Sequence, residues 1–526
     1  MSFAPEVPVL DGGARKAALL TVVEMTQADA LAIAAGTPGI DLMERAGAGI
    51  ARAIAARWTP RPLVVLAGPG NNGGDGFVAG RLLAEKGWPV RIALSCDREA
   101  LKGDAALASA RWDGPTVPFG VEALAGASLV IDAVFGAGLG RPVGGEIRAV
   151  LEAADAGRAT SPIIAVDVPS GIHGDTGAVL GFAPRAALTV TFFRRKPGHL
   201  LLPGRTLCGP IEVVDIGIGD DVLDRLRPTH FVNDTALWRD RFPWPGAASH
   251  KYDRGHAVVM SGGATATGAC RLAALAALRV GAGLVTVASP PSALLVHAAH
   301  LTAVMIRRVA EAADLAALLA DRRLNALLVG PGNGVGEGTL AHVLAALDGP
   351  RGVVLDADAL TSFAVAPDRL WQAIGRPVRA GAATVLTPHE GEFARIFPDL
   401  GRDMPRLARV RAAASRSGAT VILKGPDTVA ADPQGRVIIN DCAPPWLATA
   451  GSGDVLAGLI VGLLAQGLAG LDAAAAGIWV HSVAADAFGP GLIAEDLPAF
   501  VPTALRQLLQ ENNAPVNFFL DTDSRS

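Results

Sequence analysis

Short apolar segments alternate with alanine-rich helical stretches along this chain, and the alternation occurs twice. The first series runs from LVVLAG at residue 63 to IEVVDIGI at residue 211, and the second from HAVVMSGG at residue 256 to TVILKG at residue 420. Strands that are apolar throughout are typical of parallel sheets covered by helices on both faces. The pattern therefore predicts an α/β fold with two domains, the first a Rossmann-like doubly wound sheet.

A polar, proline-bearing stretch separates the two series. We expect the boundary near residues 219–232, which divides the chain into domains 1–228 and 229–512 and leaves a flexible tail at 513–526. A length of 526 residues suits two large domains. Two short apolar runs at 429–431 and 437–440 flank the turn DPQG, which predicts a hairpin.

Composition and charge limit the classes of partner that the chain is expected to bind. The net charge is only −4 and no lysine or arginine run occurs, so nucleic acid is not an expected partner. The N-terminus lacks the basic start and apolar run of a secretory signal. The apolar stretch 455–471 is short for a bilayer and predicts a buried helix, so no membrane contact is expected. Four cysteines lie far apart without metal-type or redox spacing, which favours a reduced, cytoplasmic location.

The string LATAGSGDVLAGL, which begins at residue 447, joins a glycine-rich turn to a helix. Gly451, Ser452 and Gly453 let backbone N–H groups converge where the helix N-terminus adds its own donors, which is a binding site for phosphate. Asp454 stands beside that phosphate and is a candidate base for phosphoryl transfer. The alternative is an ordinary helix start in which Ser452 or Asp454 is the N-cap.

A second glycine-rich turn, LVVLAGPGNNGGDG, begins at residue 63. Gly68, Gly70 and Gly73 satisfy GxGxxG, and Asp97 lies where a ribose-binding acid would follow, so a dinucleotide-binding unit is one interpretation. The polar residues at 71, 72 and 75 favour a turn that also contacts its ligand through side chains.

Polar side chains also follow two later strands of the first series. Asp132 precedes the loop FGAG, and Asp167 and Ser170 lie in DVPSG. Asn72, Asp132 and Ser170 offer only oxygen ligands, which suit a hard cation and not zinc. Each residue alone is typical of a cap or turn, but together at successive strand ends they favour a site.

Four strings of the first series, MTQADALAIAAGTPGIDLMERAG, GPGNNGGDGFVAGR, DAVFGAGLGRP and DVPSG, resemble the NAD(P)H-hydrate epimerase domain over residues 22–219. The resemblance implies that Asn72, Asp132 and Ser170 hold a potassium ion and that Asp167 acts on the substrate as a catalytic group. Ala137 departs from the threonine that is more usual in the family. The implied contacts with the hydrated nicotinamide nucleotide are Asn71, Asn72, Gly73, Gly74, Asp75, Gly136, Ala137, Gly138, Leu139, Gly140, Arg141, Pro142 and Asp167.

The second series resembles the nucleotide-dependent NAD(P)H-hydrate dehydratase, which has a ribokinase-like fold, over residues 229–509. The resemblance rests on HKYDRGH, SGGATATGACRL, GPGNG, LDADAL, TPHEGE, KGPDT and GSGD. The segment before GSGD lacks the asparagine and second glycine that are usual there. The resemblance implies Ala269, Gly332, His389 and Asp454 at the hydrate, and Lys424, Gly425, Pro426, Asp427, Thr428 and Gly453 at the adenine nucleotide.

Together the two resemblances imply metabolite repair. The first domain would interconvert R- and S-NAD(P)HX, and the second would dehydrate the S epimer to NAD(P)H with ADP, giving AMP and phosphate. The expected cofactors are ADP or ATP, Mg²⁺ with the nucleotide, and K⁺. The expected substrates are NADHX and NADPHX, and the expected assembly is a homo-oligomer. Two alternatives stay open: a vitamin-alcohol kinase of the ribokinase-like fold fused to a dinucleotide-binding module, and a first domain that only binds.

Overall fold

The structure is a computed structural model, and it describes residues 11–511. The tail predicted at 513–526 lies outside the described residues. The chain separates into two compact units, with the division between His230 and Phe231. Within the described range, no helix combines the length and apolar character needed to cross a membrane.

The first unit alternates strands and helices around one parallel sheet. The sheet has seven strands in the order β4-β3-β2-β5-β6-β7-β8, and every neighbouring pair is parallel. The predicted α/β class is thereby confirmed for this unit. Its helices are α1 Gly12–Ala17, α2 Val22–Ala34, α3 Gly39–Ala55, α4 Asn71–Glu85, α5 Gly103–Ala110, α6 Gly145–Gly157, α7 Gly204–Leu207 and α8 Asp221–Leu226. Its strands are β1 Ala18–Leu19, β2 Leu63–Ala67, β3 Val90–Leu94, β4 Thr116–Pro118, β5 Leu129–Ala133, β6 Ile163–Val166, β7 Leu188–Phe192 and β8 Ile211–Val214.

The strand order reverses between β2 and β5. The chain first builds outward from β2 to β4 and then returns to place β5 on the other side of β2. Both strands are fully buried, as expected for apolar runs covered on both faces. Ligands of open parallel sheets bind at such a reversal, beyond the carboxyl ends of the strands. The loops after β2, β5 and β6, which carry the predicted first site, meet at this edge.

The second unit has a larger mixed sheet. Its strand order is β9-β18-β17-β16-β15-β14-β13-β10-β11-β12; the pairs from β12 to β16 are parallel, and β16, β17 and β18 pair antiparallel. The predicted hairpin at β17 and β18 is confirmed. The strands are β9 His230–Val232, β10 His256–Met260, β11 Leu284–Ser289, β12 Met305–Arg308, β13 Ala326–Val329, β14 Gly352–Leu355, β15 Thr384–Leu386, β16 Thr420–Leu423, β17 Val429–Ala431 and β18 Val437–Ile439.

The described part of the second unit has eleven α-helices, of which the last three are the longest. They are α9 Gly268–Arg279, α10 Leu294–His300, α11 Ala312–Leu318, α12 Glu337–Ala346, α13 Asp358–Ser362, α14 Pro367–Ile374, α15 Glu390–Ile396, α16 Arg406–Ser417, α17 Ser452–Ala465, α18 Gly470–Phe488 and α19 Leu497–Glu511. Short 3₁₀ helices occur at Arg98–Ala100, Val121–Leu124, Pro197–His199, Thr235–Leu237, Arg239–Arg241, Pro291–Ala293, Pro377–Arg379 and Pro445–Leu447.

The apolar stretch 455–471 is buried, but the prediction of a single helix there was wrong. Helix α17 ends at Ala465, and α18 begins at Gly470. Gly467 takes a φ of 93°, which favours glycine and stops the helix. Helix α17 packs closely on α9, because a Cβ at Gly458 would lie only 2.3 Å from the carbonyl oxygen of Ala273. This contact sets the second turn of α17 against α9.

Candidate functional site

A cavity of about 720 Å³ lies in the first unit, where the loops after β2, β5 and β6 meet. Most of the residues predicted to contact the nucleotide line it. These are Asn71, Asn72, Asp75, Gly136, Ala137, Gly138, Leu139, Gly140, Arg141 and Asp167. The structure therefore brings the two predicted loops and Asp167 to one place.

Three predicted contacts, Gly73, Gly74 and Pro142, are not among the residues that line this cavity. Gly73 is buried where a Cβ would lie 2.0 Å from the carbonyl oxygen of Gly68, so only glycine lets α4 begin this close to β2. At Gly74 a Cβ would meet Met43 at 2.6 Å. The two glycines thus serve the packing of the turn.

Asp167 lies at the centre of a network of hydrogen bonds. Its Oδ1 accepts from Lys196 Nζ at 2.7 Å and from Thr191 Oγ1 at 2.9 Å, and its Oδ2 accepts from the Ala137 amide at 2.9 Å. Its φ of 65° is left-handed, and its carbonyl oxygen lies 2.7 Å from His199 Nε2. Burial raises the pKa of Asp167, but Lys196 and the hydrogen bonds outweigh burial and lower it to about 2. Asp167 is therefore a carboxylate at neutral pH.

Asp132 and Ser170 form a buried pair next to this network. Ser170 donates its hydroxyl to Asp132 Oδ1 at 2.6 Å and its amide to Oδ2 at 2.8 Å. Burial raises the pKa of Asp132 to about 6 in spite of these bonds. Within residues 11–511, the buried Nδ2 of Asn72 has no hydrogen-bond partner, and its Oδ1 and Asp167 Oδ2 both lie about 3 Å from where a Cβ of Gly136 would be. The predicted ligand residues thus line the same edge of the sheet.

Sequence reasoning missed Lys196, His199 and Asp29 in this site. Lys196 is buried and pairs with Asp167, and burial and Lys196 lower the pKa of His199 to about 4. Asp29 lies on α2 and lines the cavity. Nothing in the strings FRRKPGH and TQADAL marks these residues, since their roles depend on which elements pack together.

In the second unit, the glycine-rich turn leads directly into α17. Gly451 is the N-cap with a φ of 86° and no side-chain cap, and the Ser452 hydroxyl donates to Leu447 and Thr449 carbonyls. The alternative interpretation, with Ser452 or Asp454 as the N-cap, was therefore wrong. Asp454 lies in the first turn of the helix, beside the positive end of its dipole.

Lys424 connects this turn to two buried acids. Its Nζ lies 2.7 Å from Asp356 Oδ1 and 4.0 Å from Glu392 Oε2, and 3.4 Å from where a Cβ of Gly453 would be. Burial lowers the pKa of Lys424, but the acids outweigh burial and raise it. A permanent positive charge therefore lies against the first turn of α17. The role of Asp356 was missed, although its string LDADAL was among those that carry the resemblance.

Burial and then the charge of Asp356 raise the pKa of Asp454 to about 6, against the lowering effect of Lys424. A carboxyl group in this range changes protonation near neutral pH, as a general base must. The geometry thus gives Asp454 the proton affinity that the sequence-based hypothesis requires.

The other predicted hydrate contacts lie on neighbouring elements. His389 pairs with Lys424 through a parallel backbone bridge, and its Nε2 lies 3.3 Å from Glu392 Oε1. Ala269 lies in the first turn of α9, which packs on α17. Gly332 has a φ of 69°. Its carbonyl oxygen lies so close to Gly262 that a Cβ on Gly262 would clash with it.

The predicted nucleotide turn, Gly425 to Thr428, follows β16. Gly425 and Pro426 are exposed, whereas Asp427 and Thr428 are buried. The Thr428 hydroxyl donates to the Gly425 carbonyl at 2.7 Å, and Arg406 donates to the Asp427 carbonyl at 3.2 Å. Two side-chain hydrogen bonds thus brace the turn, and its first two residues face solvent.

Fold and geometry together define a two-unit α/β protein with a candidate site in each unit, the second at the N-terminus of α17 beside the Lys424 ammonium. Two family profiles match it: residues 39–198 match the YjeF-related protein N-terminus, and residues 257–500 match the NAD(P)H-hydrate dehydratase. The chain belongs to the family of bifunctional NAD(P)H-hydrate repair enzymes, as its relatives show.

One relative, the bifunctional NAD(P)H-hydrate repair enzyme of Salinibacter ruber, is 37% identical over 94% of this chain and 95% of its own. The enzyme of the same name from Coxiella burnetii is 34% identical over 90% of this chain and 96% of its own. A solved structure, the ADP/ATP-dependent NAD(P)H-hydrate dehydratase of Bacillus subtilis co-crystallised with ATP and Mg²⁺, is 26% identical and covers 51% of this chain and 95% of its own, with a TM-score of 0.44.

Proposed function

We propose that this chain repairs hydrated NADH and NADPH, the first unit interconverting the R and S epimers and the second dehydrating the S epimer at the expense of ADP. Membership of the family supports the pair of activities. The observation that carries the second activity is Asp454, with its pKa of about 6, in the first turn of α17 next to the Lys424 ammonium. A vitamin-alcohol kinase is not favoured, because the relatives match both units together.

The dehydration mechanism follows from the poor leaving ability of hydroxide. Asp454 takes the proton of the substrate hydroxyl, whose oxygen attacks the terminal phosphorus of ADP and releases AMP. The first turn of α17 and the Lys424 ammonium stabilise the charge on the moving phosphoryl group. The C–O bond then breaks, phosphate leaves, and loss of a ring proton restores the double bond of NAD(P)H.

The nucleotide binds, in this proposal, across the turn from Lys424 to Thr428 and the backbone of Gly453. The exposed Gly425 and Pro426 and the rigid bonds of this turn support the assignment. Ala269, Gly332 and His389 then surround the hydrate. Mg²⁺ accompanies the nucleotide phosphates, and ATP is an alternative donor that the assay distinguishes.

An Asp454→Asn variant tests the base. The asparagine side chain has the same shape as aspartate but cannot accept the proton. The rate of dehydration of the S epimer with ADP therefore falls by a factor of about 10² to 10⁴. The assay follows recovery of dihydronicotinamide absorbance with ADP or ATP. Asp486→Asn, an exposed acid on α18, is the matched control and keeps full activity. Unchanged turnover in pure Asp454→Asn removes Asp454 from this role.

For the first unit, we propose that the hydrated ring lies beside Asp167, with Asn72, Asp132 and Ser170 holding K⁺. The buried carboxyl group of Asp132, the Asn72 Oδ1 and the Ser170 hydroxyl offer only oxygen ligands, which fit a hard cation such as K⁺. The ion would fix the loop oxygens around the substrate. Asp167, proposed as a catalytic group, presents a carboxylate that Lys196 keeps ionised.

An Asp167→Asn variant tests the epimerase. Given a mixture of both epimers and ADP, the R epimer accumulates while the S epimer is still cleared. Chromatography of the two epimers over time measures the difference. Equal clearance of both at the native rate contradicts the assignment. Assembly of identical chains and a cytoplasmic location, both expected from the sequence, also belong to this proposal.

A further inference from the structure

The cavity of the first unit contains two acids besides Asp167, and neither has been given a part in proton transfer. Asp29 lies on α2 and Asp75 on α4, and both line the cavity together with Asp167 and Lys196. Asp75 is only 8% exposed. Among the described residues, neither carboxyl group has a hydrogen-bond partner; burial and the charges of neighbouring groups are what act on them. Both carboxyl groups are thus open to a ligand that enters the cavity.

The surrounding charges distinguish these two acids from Asp167. Lys196 bonds to Asp167, which leaves Asp29 and Asp75 next to a neutralised pair. Burial raises the pKa of Asp75 well above its ordinary range, and the negative charge of Asp167 adds to the effect. Burial raises the pKa of Asp29 to about 6, although Lys196 opposes the shift. Asp167 has little affinity for a proton, whereas Asp29 exchanges one near neutral pH.

We propose that Asp29 is the catalytic acid and base that exchanges a proton with the substrate hydroxyl during epimerisation. This inference rests on the proposed epimerase function and names the proton-transfer group of that site. Asp167 then contributes its fixed negative charge and not a proton.

The step balances without any co-reactant except water. Asp29 gives its proton to the ring hydroxyl, the C–O bond breaks with its electron pair on oxygen, and water departs. The lone pair of the ring nitrogen forms a C=N bond, so the positive charge moves to the ring and faces the new Asp29 carboxylate. Water then adds to the opposite face of the same carbon, its oxygen forming the C–O bond and its proton passing to solvent, and Asp29 regains a proton from solvent; in the reverse direction Asp29 is the base that deprotonates the water. Carboxylates preorganised around a developing cation lower the energy of that cation.

The rate of exchange depends on pH through the protonated form of Asp29. Because the acid form starts the step, the rate falls as pH rises above about 6. The charged groups around Asp29 include the cavity residues and those of α8, which packs on α2. They are Lys196, Asp167, Asp75, Asp104 and Arg141 at the cavity, and Asp221, Asp224 and Arg225 on α8.

The test uses the full chain without nucleotide, so that no dehydration occurs. The purified R epimer is the probe, and chromatography measures formation of the S epimer after subtraction of the rate without enzyme. Asp29→Asn lowers kcat by about 10² to 10⁴, leaves KM nearly unchanged and abolishes the fall of the rate above pH 6. Asp29→Glu restores part of kcat. Asp41→Asn, an exposed acid on α3, is the control and behaves like the wild type.

Two results overturn the inference. One is a kcat of Asp29→Asn within about threefold of the wild type, and the other is a rise of KM alone, which marks a binding role. Circular dichroism and dehydration of the S epimer with ADP show that the variant is folded. If it does not fold, a wild-type rate that is flat from pH 5 to 8 is the refuting result. A wild-type chain that exchanges no epimers refutes the proposed function itself.

Discussion

Replacing Lys424 by methionine tests the charge cluster of the second site. The substitution keeps most of the side-chain volume and removes the ammonium, which lies 2.7 Å from Asp356 Oδ1. At an effective dielectric constant of about 20, that distance corresponds to an attraction of about 6 kcal/mol. Lys424 loses its desolvation cost when it is replaced, so the net loss is smaller. Measured losses on removing one partner of a buried pair are about 3–5 kcal/mol, and we expect a loss in this range.

The assay must read the second unit alone, because a chain of two units does not unfold in one step. Hydrogen exchange in increasing urea, followed by mass spectrometry on peptides that cover β14 and β16, measures the local free energy of unfolding. The matched variant is Lys424→Met with Asp356→Asn, which removes both charges. It recovers at least half of the loss, because no buried charge is left without a partner. A loss below about 1 kcal/mol in the single variant, or equal losses in both, refutes the reasoning.

Three further outcomes follow from the sites. Dehydration of the S epimer rises with pH through about 6 and is level above it, because Asp454 acts in its deprotonated form and burial raises its pKa to about 6; initial rates across pH measure this, and a flat profile contradicts it. Replacing K⁺ by Li⁺ lowers the rate of epimer exchange by about tenfold and leaves the rate of dehydration unchanged. In the Asp132→Asn variant, the rate of exchange is the same in both salts. Equal rates of exchange by the wild type in both salts contradict the proposed K⁺ site. Gly73→Ala places a Cβ 2.0 Å from the Gly68 carbonyl oxygen, and overpacking of about 1–3 kcal/mol exceeds the helix gain of about 0.5–1 kcal/mol, so calorimetry finds a lower Tm for the first unit only; an unchanged Tm contradicts the close approach.

Most strands could be predicted from the sequence because buried parallel strands are apolar throughout. The segments LVVLA, LVIDA and TVIL correspond to β2, β5 and β16. Strands β1, β4 and β9 were missed, since they have two or three residues and β4 contains a proline. The end of α17 was misplaced because the apolar pattern continues across Gly467, whose backbone angle is the deciding feature.

The glycine turns and the acids after strands could also be predicted, since local spacing places them at one sheet edge. The partners of those acids could not. Lys196 reaches Asp167 because β7 pairs with β6 in a register that matches Val166 with Val190. Lys424 follows β16 and Asp356 follows β14. These two strands lie on either side of β15, so their ends are close enough in the sheet for the two side chains to meet. Such contacts depend on strand order, and no local string encodes strand order.

The left-handed backbone conformation of Asp167 restricts which amino acids can replace it during evolution. With φ at 65°, only glycine, asparagine and aspartate enter the conformation at low cost, and most other side chains add strain of about 1–3 kcal/mol. Glycine and asparagine both discard the negative charge that faces Lys196. In a lineage that no longer needed epimer exchange, glycine or asparagine would therefore be the least costly replacement at this position, and either would mark an inactive N-terminal unit attached to a working dehydratase.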